Sequence, residues 1–420
     1  MKQPLKIAFV VGTFPVVSQT FIVNQINALI DEGHDVNLYA YKKGELNTLH
    51  TSLHKHNLLN KVTYLKKNNP NHGIRFLEFL TWTLKHFFKI RWKRYFKTLN
   101  IFKYGKEAFL LSIFFAMEWS LIEDEFDIIH VHFAHNAKLI SYLKSLGLFP
   151  EHTKLMTTLH GYDLIPSKSQ FYKENYHTIF EQTNVFTVNS VYLKEQLLSV
   201  QPQLKHVAVL PVGLDTAYFT KTEQAVDNKF FNILFCGRLI KLKGPEIAIL
   251  VLERLVQKGH TNVRLNIIGD GVLYDDIKQN IKDKKLETYV KLKGELTQDS
   301  IKNEMDNADV LIMPGIADPE TGQMEAQGLV IQEAQAMELP VVVSDAGGMK
   351  YGVLPNESAF VVKANAIDAF VEALEQLIVD DNLRLQMGKK GAEFVREHFD
   401  NAILAKQLID MYHMTLETNT

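Results

Sequence analysis

Short, mainly apolar stretches recur along the chain and fall into two successive series. The first series lies at residues 5–11, 36–40, 128–132, 155–159, 185–188 and 207–210, and the second at 231–236, 263–268, 289–293, 310–313 and 341–343. Runs of this length predict strands, and the unbroken ones at 310–313 and 341–343 predict strands buried on both faces, as in a parallel sheet covered by helices. Helical periodicity fills the intervals. It spans residues 20–32 up to Gly33, starts again near Pro245, and returns after Gly328, where Leu329, Ile331, Ala334 and Met337 share one face before Pro340 stops the pattern. Residues 366–415 are helical in pattern throughout. Alternating strands and helices predict an open, doubly wound α/β fold, and the polar stretch 220–229 separates the two series as a linker.

Ligands of such sheets sit at the carboxyl ends of the strands, so the residues there are the candidates for chemistry. Phe231 to Cys236 delivers Gly237, Arg238 and Lys243 into a strand-to-helix loop, where a guanidinium fork and an ammonium can converge on a diphosphate. Val310 to Met313 leads into an acid-rich loop ending at Glu325, and a helix then opens at Gly328. The amides of Leu329 and Val330 offer an anion site there, and Glu333 leans back towards it. A phosphate on those amides and a ribose diol on Glu333 describe one nucleotide. A solvated helix residue and a loop carboxylate explain the pair Glu325 and Glu333 equally well when they are taken alone. Gly294 and Glu295 close another strand on the same side. In the first series, Gly12 and Thr13 follow a strand in what reads as a glycine turn, which a plain tight turn also explains. His132, His135 and Asn136 end another strand, without the cysteine or carboxylate spacing of a familiar metal site. His160 stands before Gly161 at a third strand end, with Asp163 close behind.

Composition narrows the class. With 420 residues the chain needs two or three domains, and 46% hydrophobic with 22% charged residues describes a globular protein. A single cysteine, Cys236, excludes an internal disulfide framework, and the absence of a leader pattern points to the cytoplasm. No apolar run reaches the length of a membrane span. The net charge of −2 conceals a basic, aromatic segment at 61–106, where lysines and arginines interleave with Phe and Trp. Two readings stand for it: an amphipathic segment that lies on an anionic membrane surface, and a helix whose rings pack on the sheet while its lysines are solvated. Nucleic acid is not expected, since no binding module accompanies the charge.

The motifs together resemble a known family. The run GRLIKLKG, the pair Glu325 and Glu333 in MEAQGLVIQEAQAM, the following PVVVSDAGG, and TLHGYDL resemble the large retaining glycosyltransferase family 4 of the two-domain GT-B type. The opening VGTFPVVSQTFIVNQI and the approach GQME to Glu325 look most like its bacterial exopolysaccharide members of the colanic-acid type. The resemblance implies two Rossmann-like domains facing across a cleft: an acceptor domain at 1–218, a nucleotide-sugar domain at 219–400, and a C-terminal helix at 401–420 returning to the first. It implies sugar transfer from a UDP- or GDP-type donor to a glycan or polyprenyl-diphosphate-linked acceptor, without metal or cofactor. By resemblance, Arg238 and Lys243 hold the diphosphate, Glu333 the ribose, and Glu325 and His160 the donor sugar; Gly12, Gly237, Gly294, Glu295, Gly328, Leu329 and Val330 complete the donor side. Gly12, Thr13, His132, Asn136 and Asp163 are expected on the acceptor side. The chain departs from the family pattern at Ala326, where glycine is common, and at Lys350-Tyr351, where Pro-Glu usually follows the paired glycines. A nucleotide-sugar epimerase and a non-catalytic nucleotide-sugar binder are the alternatives, since a fold does not fix chemistry.

Overall fold

The computed structural model describes residues 3–16, 19–45, 53–65, 68–123, 125–222 and 229–417. Residues 223–228 of the expected linker, Lys66 and Lys67 of the basic segment, and the last three residues of the expected C-terminal helix lie outside the described residues.

The first series forms a sheet of seven parallel strands: β1 (Lys6–Phe14), β2 (Asp35–Lys43), β3 (Val62–Tyr64), β4 (Ile128–His132), β5 (Lys154–Leu159), β6 (Val185–Val188) and β7 (Val207–Val209). Their order is β3-β2-β1-β4-β5-β6-β7. The second series forms six parallel strands: β8 (Phe231–Cys236), β9 (Val263–Ile268), β10 (Val290–Leu292), β11 (Val310–Met313), β12 (Val341–Ser344) and β13 (Ala359–Val362), ordered β10-β9-β8-β11-β12-β13. Each sheet reverses direction of strand order beside its first strand, between β1 and β4 and between β8 and β11. Successive loops diverge at such a point and leave a crevice. Strands β4, β5, β11 and β12 are buried along their whole length. That is why β11 and the valines of β12 read as unbroken apolar runs, while β4 and β5 also bury His130, His132, Thr157 and Thr158; each fully buried Val, Ile or Leu contributes about 1.5–3 kcal/mol.

Two strands escaped the sequence reading. β3 is three residues long at a sheet edge, and β13 is a four-residue run after a polar turn, both too short to show a period. β1 also runs on through Gly12, Thr13 and Phe14, because β2 continues beside it and pairs Thr13 with Lys42 and Phe14 with Lys43. Gly12 is therefore a strand residue and not part of a turn.

The helical tail divides into Ile367–Val379, Asp381–His398 and Asn401–Glu417. Asp380 makes the first break by accepting from the Leu383 amide. The last helix places Leu404, Leu408, Ile409 and Tyr412 in one apolar cluster with Ile7, Phe9, Ile26 and Leu38, so it packs on the first sheet. Tyr412 is fully buried there, and its hydroxyl is hydrogen-bonded to His130 Nδ1 at 2.7 Å. On the other face of that sheet the basic segment forms the helices His72–His86 and Trp92–Thr98 followed by two short turns. Phe79, Trp82 and Tyr95 from it pack around Phe114, and Trp92 packs on Tyr95. No helix among the described residues is long and apolar enough to cross a membrane.

Candidate active site

The crevice of the second sheet is built by the loops after β8 and β11. After Cys236 the chain passes Gly237 and Arg238 into a short 3-10 turn, Lys241–Lys243, and enters the helix Pro245–Gln257 through Gly244. Gly244 has a left-handed backbone (φ 70°), and a Cβ on it would lie 2.1 Å from the Pro314 carbonyl oxygen. Only glycine lets the two loops approach so closely. The approach sets Lys243 beside Glu325, and the ammonium and carboxylate form an ion pair, both side chains largely buried. Arg238 is exposed in the same loop. Burial pushes the Glu325 carboxyl up, but Lys243, with the added charge of Arg238, outweighs it and holds Glu325 below the usual carboxylate range.

Backbone contacts fix the position of Glu325. Its carbonyl accepts from the Gly348 amide at 2.8 Å, and a Cβ on Gly348 would stand 1.7 Å from the Ala326 oxygen, so the paired glycines are what admit this loop. The unusual Lys350-Tyr351 does not unsettle it. A 3-10 turn spans Met349–Gly352, Met349 is buried, and the Gln335 side-chain amide donates to the Gly352 carbonyl at 2.8 Å. Gly328 then starts the helix Leu329–Ala336 in a left-handed conformation with no side-chain cap, leaving the first amides, those of Leu329 and Val330, facing the loop. Glu333 follows one turn inside, where burial pushes its carboxyl up to about 7. Behind these loops the Gly237 amide donates to Ile268, and the Gly269 amide to Gly294, so the exits of β8, β9 and β10 form one ledge. Glu295 lies exposed at its outer end.

The crevice of the first sheet holds the remaining expected residues, in roles that differ in part. A Cβ on Gly12 would sit 3.1 Å from Asn136 Oδ1, so the two face each other across the β1 and β4 ends, beside Thr13. Asn136 Nδ2 donates to the His132 carbonyl at 2.8 Å. His132 itself is not an exposed acceptor-side group. Its ring is fully buried, stacked between His130 at 4.4 Å and His160 at 5.3 Å. Its Nδ1 is hydrogen-bonded to His160 Nε2 at 3.1 Å, so it supports His160 from behind. Asp163 is likewise a clamp and not an acceptor contact. One oxygen accepts from the Ala134 amide at 2.8 Å, and the other from the His160 and Gly161 amides at 3.0 Å each, which ties the β4 and β5 exits together. Burial raises its carboxyl, and the Ala134, His160 and Asp163 amides offset part of that. Burial pushes His160 down to about 3, so its imidazole is neutral, and its Nδ1 has no partner among the described residues.

The two halves meet at the Glu325 loop. A Cβ on Gly161 would lie 2.7 Å from the Ala326 methyl, so the alanine that departs from the family pattern is accommodated by the glycine after His160. The Val212 amide donates to Gln327 Oε1, and Gln327 Nε2 donates to the Val212 carbonyl, both at 2.8 Å. The Ser167 amide donates to Thr321 at 3.1 Å. His160 is thereby held against the loop that carries Glu325. Sequence reasoning missed a cavity of about 530 Å³ next to Asn136, lined among others by Tyr41, His135, Lys138, Tyr142 and Thr178. His135, Lys138 and Tyr142 follow one another along the helix Ala137–Ser145 and the turn before it, but Tyr41 comes from β2 and Thr178 from the helix His177–Gln182, and nothing local in the sequence brings these elements together.

One basic and one acidic group in contact, free helix amides, a half-buried carboxyl and a neutral imidazole face a cleft between two Rossmann-like domains. Family models account for both halves: Glycosyltransferase Family 4 matches residues 18–218, and Glycosyl transferases group 1 matches residues 219–394. The putative colanic acid biosynthesis glycosyltransferase WcaL of Escherichia coli is 25% identical over 97% of this chain and 99% of its own. The amylovoran biosynthesis glycosyltransferase AmsK of Erwinia amylovora is 28% identical over 89% of this chain and 90% of its own. Among solved structures, Anabaena HepE in complex with UDP superposes with a TM-score of 0.73 at 16% identity, covering 98% of this chain and all of HepE. With family 4 in its first half and group 1 in its second, the chain belongs to the glycosyltransferases of the two-domain GT-B fold.

Proposed function

We propose that the protein transfers a sugar, with retention of anomeric configuration, from a UDP- or GDP-type nucleotide sugar to a glycan or polyprenyl-diphosphate-linked acceptor in extracellular polysaccharide synthesis. The acceptor class rests on WcaL and AmsK, whose names place them in colanic acid and amylovoran synthesis. The donor class rests on the UDP bound to HepE and on the site itself. The observation that carries the reading is the ion pair of Lys243 with Glu325 in front of an uncapped helix start that holds Glu333 one turn inside. In this reading these parts serve a sugar, a diphosphate and a ribose in a row. A nucleotide sugar and a lipid-linked acceptor meet on the cytoplasmic side of the cell membrane, which is the location that fits this chemistry.

In this reading the diphosphate lies on the Leu329 and Val330 amides with Arg238 and Lys243 around it, and the ribose hydroxyls donate to Glu333. As the bond from the anomeric carbon to the phosphate oxygen breaks, its electron pair stays on the phosphate. The two cations and the helix amides meet the charge that develops there, each such donor contributing about 2.7–4 kcal/mol. The acceptor hydroxyl attacks on the face the phosphate leaves, and its proton passes to the departing phosphate oxygen. Glu325, kept ionised by Lys243, accepts hydroxyls of the donor sugar, while neutral His160 faces the sugar from the other domain. Fixed positive groups supply the stabilisation that a metal would otherwise give. Incubation with UDP-, GDP- and ADP-sugars tests the reading. A product with the donor's anomeric configuration, formed in the presence of EDTA, supports it, and an inverted product overturns the mechanism.

A further inference from the structure

The basic segment packs only one of its apolar faces. On the helix His72–His86, Phe79 and Trp82 turn inward, while Leu77, Leu80 and Leu84 form an exposed stripe on the opposite side, at spacings of three and four residues. Phe88 and Phe102 are fully exposed at 98% and 106%, and Ile74, Phe76, Phe87, Phe96, Ile101 and Phe109 are also out in solvent. Eleven of the twenty-one exposed large hydrophobic residues among the described residues lie between positions 74 and 109. Soluble surfaces scatter such residues singly, so this concentration marks an interaction face. The rings are continuous: Phe88 meets Phe87 at 5.4 Å, Phe87 meets Trp92 at 5.1 Å, and Trp92 stacks on Phe96 at 5.7 Å.

Charge decides what covers the face. Residues 71–110 carry nine lysines and arginines against Glu78 and Glu107, a net of +7 in a chain whose total is −2. Four of the nine serve the fold, since Arg75 donates to the Asn69 and Leu110 carbonyls, Arg94 to the Glu123 carbonyl, Lys97 to the Gly147 carbonyl and Lys103 to the Leu146 carbonyl. Lys85, Lys89, Lys93 and Lys106 are exposed, and no carboxylate among the described residues pairs with them. A second copy of the chain would bring one strongly positive face against another, which disfavours self-association. A nucleic acid would match the charge but would gain nothing from the aliphatic stripe of Leu77, Leu80 and Leu84. An anionic bilayer satisfies both features, with lysines at the phosphates and Phe and Leu tips among the acyl chains.

We propose that residues 74–109 are a docking face that seats the first domain on an anionic lipid bilayer. The face lies on the side of the first sheet opposite the helix Asn401–Glu417. Its far end reaches the cavity beside Asn136, because the Tyr142 hydroxyl, which lines that cavity, donates to Glu107. A bilayer on this face therefore presents its headgroups beside the acceptor crevice; this orientation, though not the binding, rests on the function proposed above.

Vesicles of equimolar phosphatidylglycerol and phosphatidylcholine, compared with pure phosphatidylcholine, test the proposal with the full chain. Expected are co-sedimentation with the anionic vesicles, a blue shift of tryptophan emission from Trp92, and weakening by salt. Exchanging Lys85, Lys89, Lys93 and Lys106 for Gln is expected to lower partitioning about 10-fold or more. Phe88→Ser with Phe102→Ser is expected to do the same, and these side chains are too exposed for folding to depend on them. Thermal shift with UDP, measured on the same variants, should be unchanged, which separates loss of docking from loss of the donor site. Failure of the wild type to bind anionic vesicles at low salt overturns the proposal. So does vesicle binding that neither variant weakens, concentration-dependent self-association abolished by the Phe variants, or a preference for single-stranded nucleic acid over the vesicles.

Discussion

Replacing Glu333 with Gln is expected to stabilise the empty protein while weakening its hold on a nucleotide. Burial raises the Glu333 carboxyl from the usual 4.5 to about 7. The folded chain therefore keeps a proton there that the unfolded chain releases, and stability falls as pH rises from about 4.5 to about 7 and stays lower above that. One pKa unit corresponds to about 1.36 kcal/mol, so the ionised carboxylate costs the fold about 3 kcal/mol at pH 8 and under about 1 kcal/mol at pH 5. Gln cannot ionise and escapes that penalty, though its amide is dehydrated in turn, which makes 3 kcal/mol the upper value. Each kcal/mol moves the melting point of a domain this size by about 2–4 °C. The variant is thus expected to melt several degrees above wild type at pH 8 and close to it at pH 5. The same carboxylate repays its cost when ribose hydroxyls donate to it, at about 1.5–3 kcal/mol for a charged acceptor. UDP affinity of the wild type should then rise with pH up to about 7, and the variant should lack that component and bind about 10-fold more weakly at pH 8. A variant no more stable than wild type at pH 8, or equal UDP affinity in both, would refute the reasoning.

Lys243→Ala is expected to lower turnover by about 10²–10³, with EDTA changing the wild-type rate little; strong EDTA inhibition reversed by Mg²⁺ would contradict it. Glu325→Ala should spare UDP affinity yet abolish most transfer, in contrast to Glu333→Ala, and isothermal titration beside a transfer assay separates the two. Removing either member of the Lys243 and Glu325 pair should destabilise by about 3–5 kcal/mol, whereas the double exchange Lys243→Met with Glu325→Gln should recover most of the melting point without activity. Asp163→Ala should cost about 2–4 kcal/mol by stranding the Ala134, His160 and Gly161 amides, and Asp163→Asn, which keeps one acceptor oxygen, should recover part of it.

What the chain announced and what it concealed follow from the range over which each feature is determined. Strands such as β8 and β11 are buried on both faces by local apolar runs, so their ends, and with them Arg238, Lys243 and Glu325, were visible as strand-end residues. The helix behind Gly328 likewise carried Glu333 by its own periodicity. Relations between distant segments were not visible. Nothing local tells that Lys243 and Glu325 pair, because the contact depends on Gly244 lying against Pro314. His132 and Asp163 stand at strand ends as an acceptor-side group would, yet the stacking of three imidazoles and the amide clamp enclose them. Gly12 read as a turn because the continuation of β2 beside it is a tertiary fact. The basic segment supported two readings because its aromatic residues divide between them: Phe79, Trp82 and Tyr95 pack inward, and Phe88 and Phe102 do not.

Thermal unfolding with a panel of UDP-, GDP- and ADP-sugars, in the wild type and in Lys243→Ala with Glu333→Ala, tests the central claim most directly, since a ligand that binds only the folded state raises its stability by about 2.7 kcal/mol at a hundredfold excess over its dissociation constant. The account predicts that nucleotide sugars of one base stabilise the wild type clearly, that the same compounds leave the double variant unshifted, and that EDTA does not alter the result. A wild type indifferent to every nucleotide sugar, or a double variant that responds as strongly as the wild type, would contradict it.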